Sequence, residues 1–114
     1  MKDIKATNHF ILQRITSVIL IPLSVWFCLT LASMVSMNYL ELINFLKSGL
    51  NFFLLFSFIL IMAYHLWLGM EIIIEDYISA IDKRNRILWL VKFIIISFTA
   101  IAILLLLTIN FTNI

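Results

Sequence analysis

The chain has 114 residues, of which 64% are hydrophobic and 12% are charged, with a mean hydropathy of +1.14. Soluble domains are about 45–50% apolar and about 25% charged, so this composition excludes an ordinary soluble enzyme, a nucleic-acid-binding module and a disordered chain. The net charge of +2 is too small to indicate a polyanionic partner, and the single cysteine, Cys28, excludes an internal disulfide. The class that remains is an integral membrane protein.

Three long windows without formal charge predict transmembrane helices, because a helix needs about 20 apolar residues to cross a hydrocarbon core of roughly 30 Å. They predict an all-α fold with spans near 13–37, 48–77 and 86–110, within a single membrane-anchor domain over 1–114. A β-barrel is excluded because the windows are apolar throughout and do not alternate. The first span is too long for the apolar region of a typical signal peptide, so we expect it to be retained.

The distribution of lysine and arginine predicts the orientation of these spans. Basic residues precede the first span and follow the second, whereas the 38–47 connection has only Lys47 and the C-terminal tail has none. The residues of the two basic groups are Lys2, Lys5, Arg14, Lys83, Arg84 and Arg86. Since basic loops stay in the cytoplasm, the N-terminus is predicted to be cytoplasmic and the C-terminus to lie outside.

One ionisable side chain, His65, lies deep within a predicted span, where such groups are costly and mark function by default. A neutral imidazole needs a partner at both ring nitrogens. His65 could form a hydrogen bond to a neighbouring helix, or it could be an axial ligand of haem iron with its other nitrogen held by a second group. Gly69, one turn further on, permits close approach of another helix or of a flat macrocycle.

The cytoplasmic end of the second span adds an acid and a phenol to the same stripe. Asp76 shares a helix face with His65 about 16 Å along the axis, and Tyr77 follows it directly. A phenol can donate to a quinone carbonyl while a carboxylate relays protons, or the two can be an interfacial anchor and a solvated helix end. Arg14 opens the first span, either as part of a helix contact or as a basic anchor at the headgroups.

Two segments resemble the hydrophobic membrane-anchor subunits of succinate dehydrogenase, respiratory complex II. The first runs from His9 to Leu20 and opens the first span; the second runs from His65 to Tyr77 and closes the second span. The second segment is the specific one, since it has the pattern H-x-W-x-G followed by D-Y. The layout of three spans with the N-terminus inside is similar over nearly the whole chain.

This resemblance implies a non-catalytic subunit of a succinate:quinone oxidoreductase in the inner membrane of bacteria, or its mitochondrial equivalent. It implies one haem b with His65 as an axial ligand, and ubiquinone beside Tyr77 and Asp76, with Arg14 near the quinone or the haem. The implied partners are membrane lipid, a second membrane anchor (cytochrome b) subunit, an iron–sulfur subunit and a flavoprotein subunit. A cofactor-free scaffold and the anchor of a fumarate reductase are the alternatives. A transporter is disfavoured, because no span has a carboxylate at mid-depth.

Overall fold

Long apolar segments in lipid must satisfy their own backbone hydrogen bonds, and the α-helix is the local structure that does so. The computed structural model describes residues 2–112, with side chains from residue 7 onward, and is helical with no strand in that part of the chain. The helices are α1 (Lys2–Met34), α2 (Tyr39–Lys47), α3 (Gly49–Tyr77) and α4 (Ile81–Phe111).

Three of these helices are long and apolar enough to cross a membrane: Thr7–Met34 within α1, the whole of α3 and the whole of α4. The predicted all-α fold with three spans is therefore confirmed. The predicted second span matches α3 closely, but α1 and α4 begin at Lys2 and Ile81, earlier than the predicted starts near residues 13 and 86. The charge-free windows mark the hydrocarbon region, whereas a helix also continues through the headgroups because its backbone hydrogen bonds persist there.

The connection between α3 and α4 is correspondingly shorter than the sequence indicates. It comprises only residues 78–80, and Lys83, Arg84 and Arg86 lie in the first turns of α4. These three basic residues, predicted to lie in a cytoplasmic loop, thus belong to the start of α4, at the same end of the molecule as Tyr77.

The short helix α2 lies where the sequence indicates only a connection. Asn38 and Glu41 form a capping box: Asn38 Oδ1 accepts from the Glu41 backbone N–H at 2.9 Å, and the Asn38 N–H donates to Glu41 Oε2 at 3.3 Å. Ile43 is buried, and Lys47 Nζ donates to the carbonyl oxygen of Thr112 at 3.0 Å. Helix α2 is therefore attached to the C-terminal end of α4.

The spanning helices form a row with α3 in the middle. Helix α3 packs against α1 on one side and α4 on the other, whereas α1 and α4 share almost no contact among the described residues. Phe27 of α1 stacks on Phe58 of α3 with ring centroids 4.5 Å apart, and Phe52 of α3 meets Phe111 of α4 edge-on. Most large apolar side chains remain exposed, so this row offers wide apolar surfaces to lipid or other subunits.

Candidate functional site

The histidine that the sequence singles out forms a side-chain hydrogen bond between two spanning helices. His65 Nδ1 lies 2.7 Å from Oγ1 of Thr16, joining α3 to α1. Thr16 is 8% exposed, and its Oγ1 also lies 2.8 Å from the carbonyl oxygen of Leu12 and 3.0 Å from that of Gln13. A hydroxyl has one proton and two lone pairs, so Thr16 can donate to a carbonyl of its own helix and accept from Nδ1–H at the same time.

The other ring nitrogen of His65 has no such partner. Among the described residues no hydrogen bond reaches Nε2, and the His65 side chain is half-buried. When Nδ1 carries the proton, Nε2 presents its lone pair, which is the form of imidazole that binds a metal. The two alternatives left open by the sequence are therefore compatible: the hydrogen bond uses Nδ1 and leaves Nε2 for a ligand.

The donor set fits one axial bond to haem iron and not a metal ion held by this chain alone. No group of three or more His, Cys, Asp or Glu side chains in the described part of the chain is placed to hold a metal ion. The sequence has one other histidine, His9, and its Nε2 lies 3.9 Å from Glu71 Oε1, more than a turn of helix from His65.

Gly69 lies beside the same contact and brings α1 close to α3. A β-carbon built on Gly69 would lie 3.4 Å from Nε2 of Gln13, so the space left by the missing side chain is used by the neighbouring helix. Of the two uses predicted for Gly69, this geometry supports helix packing. Gln13 Oε1 is buried without a hydrogen-bond partner. Gln13 and Thr16 were not identified from the sequence, although two polar residues three apart in an apolar helix indicate a shared face.

Two contacts set the antiparallel register of α1 against α3. Thr16 is level with His65, and His9 is level with Glu71. Arg14 therefore lies close to the depth of His65, and about 15 Å along the helix axis from Tyr77. Of the two groups near which the resemblance puts Arg14, quinone and haem, this register brings Arg14 level with the proposed haem ligand His65, and the start of α1 extends beyond it toward Tyr77.

The surroundings of Arg14 are those of an exposed side chain on a membrane helix. Its guanidinium carbon lies 4.7 Å from the ring centroid of Phe10, and the side chain is exposed on the row of helices. The ring of Phe10, which is also exposed, attracts the cation, so the contact favours a guanidinium on this outer side of α1. Arg14 thus presents its charge away from the His65–Thr16 contact.

Asp76 and Tyr77 end α3 and are exposed, Tyr77 to 84%. No hydrogen bond or ion pair within the described part of the chain joins either residue to His65 or Arg14. Their shared position at the end of α3 is as predicted, and both side chains are accessible to a ligand or to another subunit. A carboxylate and a phenol are thus consecutive at the end of a helix long and apolar enough to span a membrane.

Comparisons with known proteins agree on one family. The family model described as succinate dehydrogenase/fumarate reductase transmembrane subunit matches residues 1–109. Similar curated proteins, each named succinate dehydrogenase hydrophobic membrane anchor subunit, include those of three Rickettsia species. The identity is 35% over 86 residues in Rickettsia bellii (75% of this chain, 69% of the relative) and 35% over 101 residues in Rickettsia conorii (87% and 80%). It is 34% over 102 residues in Rickettsia felis (85% and 82%). No solved structure matches the chain at a significant level.

Proposed function

Because this chain belongs to the succinate dehydrogenase/fumarate reductase transmembrane subunits, as a hydrophobic membrane anchor subunit of succinate dehydrogenase, we propose that it binds haem b and ubiquinone together with a partner anchor. It is a multi-pass membrane protein, and its bacterial relatives suit the inner membrane. The observation that carries the proposal is the His65 side chain, whose Nδ1 is held by Thr16 while Nε2 has no partner in the described chain.

His65 would hold the haem through Nε2, and a second anchor (cytochrome b) subunit would supply a further ligand. When bound, haem b supplies a one-electron centre within the membrane. The part of this chain is to fix the imidazole: Thr16 holds Nδ1, and the close α1–α3 contact at Gly69 holds the two helices together. Arg14, at nearly the depth of His65, is proposed as a basic residue on the haem side of the site rather than the quinone side.

Tyr77 and Asp76 are proposed as this chain's part of the ubiquinone site. Reduction of a quinone to a quinol takes two electrons and two protons, so the site needs hydrogen-bond donors and access to water. The exposed Tyr77 hydroxyl can donate to a quinone carbonyl, and Asp76 beside it can pass protons from the aqueous side. Their position at the end of α3, by the charged start of α4, supports this assignment.

The remaining subunits of the complex would do the chemistry that this chain cannot. The described chain consists almost entirely of membrane helices. As the family resemblance implies, a flavoprotein subunit would oxidise the soluble dicarboxylate and an iron–sulfur subunit would deliver the electrons. We place these subunits at the end that carries Asp76 and the basic start of α4. The exposed apolar sides of the helix row would contact the second anchor and membrane lipid.

The alternatives differ in how they use His65. The anchor of a fumarate reductase would have the same architecture with the reaction running in the opposite direction, and the family description covers both enzymes. A cofactor-free scaffold would explain the three spans and the Thr16–His65 hydrogen bond, but it gives no use for Nε2, which has no partner in the described chain. The haem-binding anchor therefore explains more of the site.

A reduced-minus-oxidised spectrum of the purified complex tests the haem proposal. His65→Leu should remove or shift the b-type band while the subunits still purify together, because the axial ligand is lost. His9→Gln is the matched control, since it changes the other histidine and should leave the band unchanged. An unaltered band and midpoint potential in an assembled His65→Leu complex would refute the ligand role.

A further inference from the structure

We propose that Thr16 is a positioning residue that fixes the tautomer of His65 and strengthens electron donation by Nε2. This inference rests on the proposed haem ligation and assigns a role to a residue of α1 that does not itself touch the iron. It is carried by the 2.7 Å contact between Thr16 Oγ1 and His65 Nδ1.

The first step is the direction of that hydrogen bond. Threonine in a helix commonly donates its hydroxyl proton to the carbonyl three or four residues earlier, and Thr16 has both carbonyl oxygens in range, at 2.8 and 3.0 Å. Its oxygen is then an acceptor toward α3, and His65 Nδ1–H is the donor. The opposite direction would put the proton on Nε2, where no acceptor in the described chain receives it.

The second step is the rigidity of the contact. Thr16 is buried to 8% exposure, with Leu20 at 6% one turn further along α1 and Leu68 at 2% on the adjacent turn of α3. On the other side, Gln13 packs against Gly69. The ring of His65 is therefore oriented by a hydroxyl within a packed helix contact, where close packing restricts the motion of the Thr16 side chain.

The third step is the effect on a bound metal. An imidazole whose Nδ1–H donates to an acceptor is a more basic ligand at Nε2. A more basic axial ligand favours the oxidised form of the iron, so the Thr16 hydroxyl is expected to lower the midpoint potential of the haem. Removing the hydroxyl should raise this potential without removing the ligand.

The experiment compares four variants of Thr16 and Thr30 in the assembled complex, by potentiometric titration of the haem and low-temperature EPR of its oxidised form. Thr16→Val and Thr16→Ala remove the hydroxyl, and Thr16→Ser keeps it. Thr30→Val is the control, because Thr30 is the other buried threonine of α1, at 7% exposure, and forms no hydrogen bond to His65. We expect a raised potential and an altered EPR signal in Thr16→Val and Thr16→Ala, with values close to wild type in the other two.

The outcomes separate this inference from the proposed function. If His65→Leu keeps the b-type band, haem ligation by His65 is wrong. If His65→Leu loses the band but the hydroxyl-free variants titrate like Thr30→Val, the role of Thr16 is wrong and ligation stands. Loss of haem from both hydroxyl-free variants, with full occupancy in Thr16→Ser, would support the positioning role, since only the hydroxyl distinguishes them.

Discussion

Replacement of Gly69 tests how closely α1 and α3 must approach for the His65 site to form. A β-carbon at this position would lie 3.4 Å from Gln13 Nε2, which is ordinary van der Waals contact with the end of a flexible side chain. Gly69→Ala should therefore be tolerated. Alanine is favoured over glycine within a helix by about 1 kcal/mol, and a small shift of Gln13 offsets part of this gain.

A side chain larger than that of alanine at position 69 is expected to destabilise the contact between α1 and α3. Gly69→Leu adds three further carbons toward Gln13, in a contact where α1 and α3 already touch. Overpacking of this kind typically costs about 1–3 kcal/mol, and here it would push apart the helices that the Thr16–His65 hydrogen bond joins. We expect the Gly69→Leu complex to be less stable than wild type by an amount in this range.

The chain supplies a matched control in its other glycine. A β-carbon on Gly49, at the start of α3, would meet nothing within 4 Å, so Gly49→Leu adds the same atoms without a clash. The measurement is the temperature at which a fluorescently tagged complex loses its size-exclusion peak. About 1–3 kcal/mol corresponds to a fall of several degrees. A Gly69→Leu complex as heat-stable as Gly49→Leu would refute the close contact at Gly69.

Two further predictions concern the ends of the spans. The distribution of lysine and arginine predicts that reporters fused after residue 44 and at the C-terminus lie outside the cytoplasm, and that a reporter fused after Arg84 lies in the cytoplasm. A cytoplasmic C-terminal reporter would contradict this orientation. Tyr77→Phe should lower quinone reduction about tenfold, the equivalent of one lost hydrogen bond of about 1.4 kcal/mol, and Asp76→Leu should act similarly but more weakly. Succinate oxidation with an artificial acceptor should survive in both. Normal quinone reduction and inhibitor sensitivity in both variants would make these residues an interfacial anchor.

The architecture could be predicted from the sequence because charge is so costly in hydrocarbon. Charge-free windows marked all three spans, and the single deep histidine marked the candidate site. The charge-free windows do not predict where α1 and α4 begin, because such a window ends at the edge of the hydrocarbon region while the helix continues beyond it. Helix α2 was missed, although Asn38 and Glu41 have the spacing of a capping box just before an apolar run.

The number of spans and their apolar character therefore follow from the sequence alone, and so does the choice of His65 as the candidate site residue. The contacts of α1 with this part of α3 are known from the helix packing and not from the sequence: Thr16 lies at Nδ1 of His65, and Gln13 lies against Gly69. The same packing places Arg14 near the depth of His65 and not of Tyr77. The physical reason is that these helices are apolar around their whole circumference, so composition fixes their burial in lipid but not their rotation or register, which side-chain packing and a few interhelical polar contacts select.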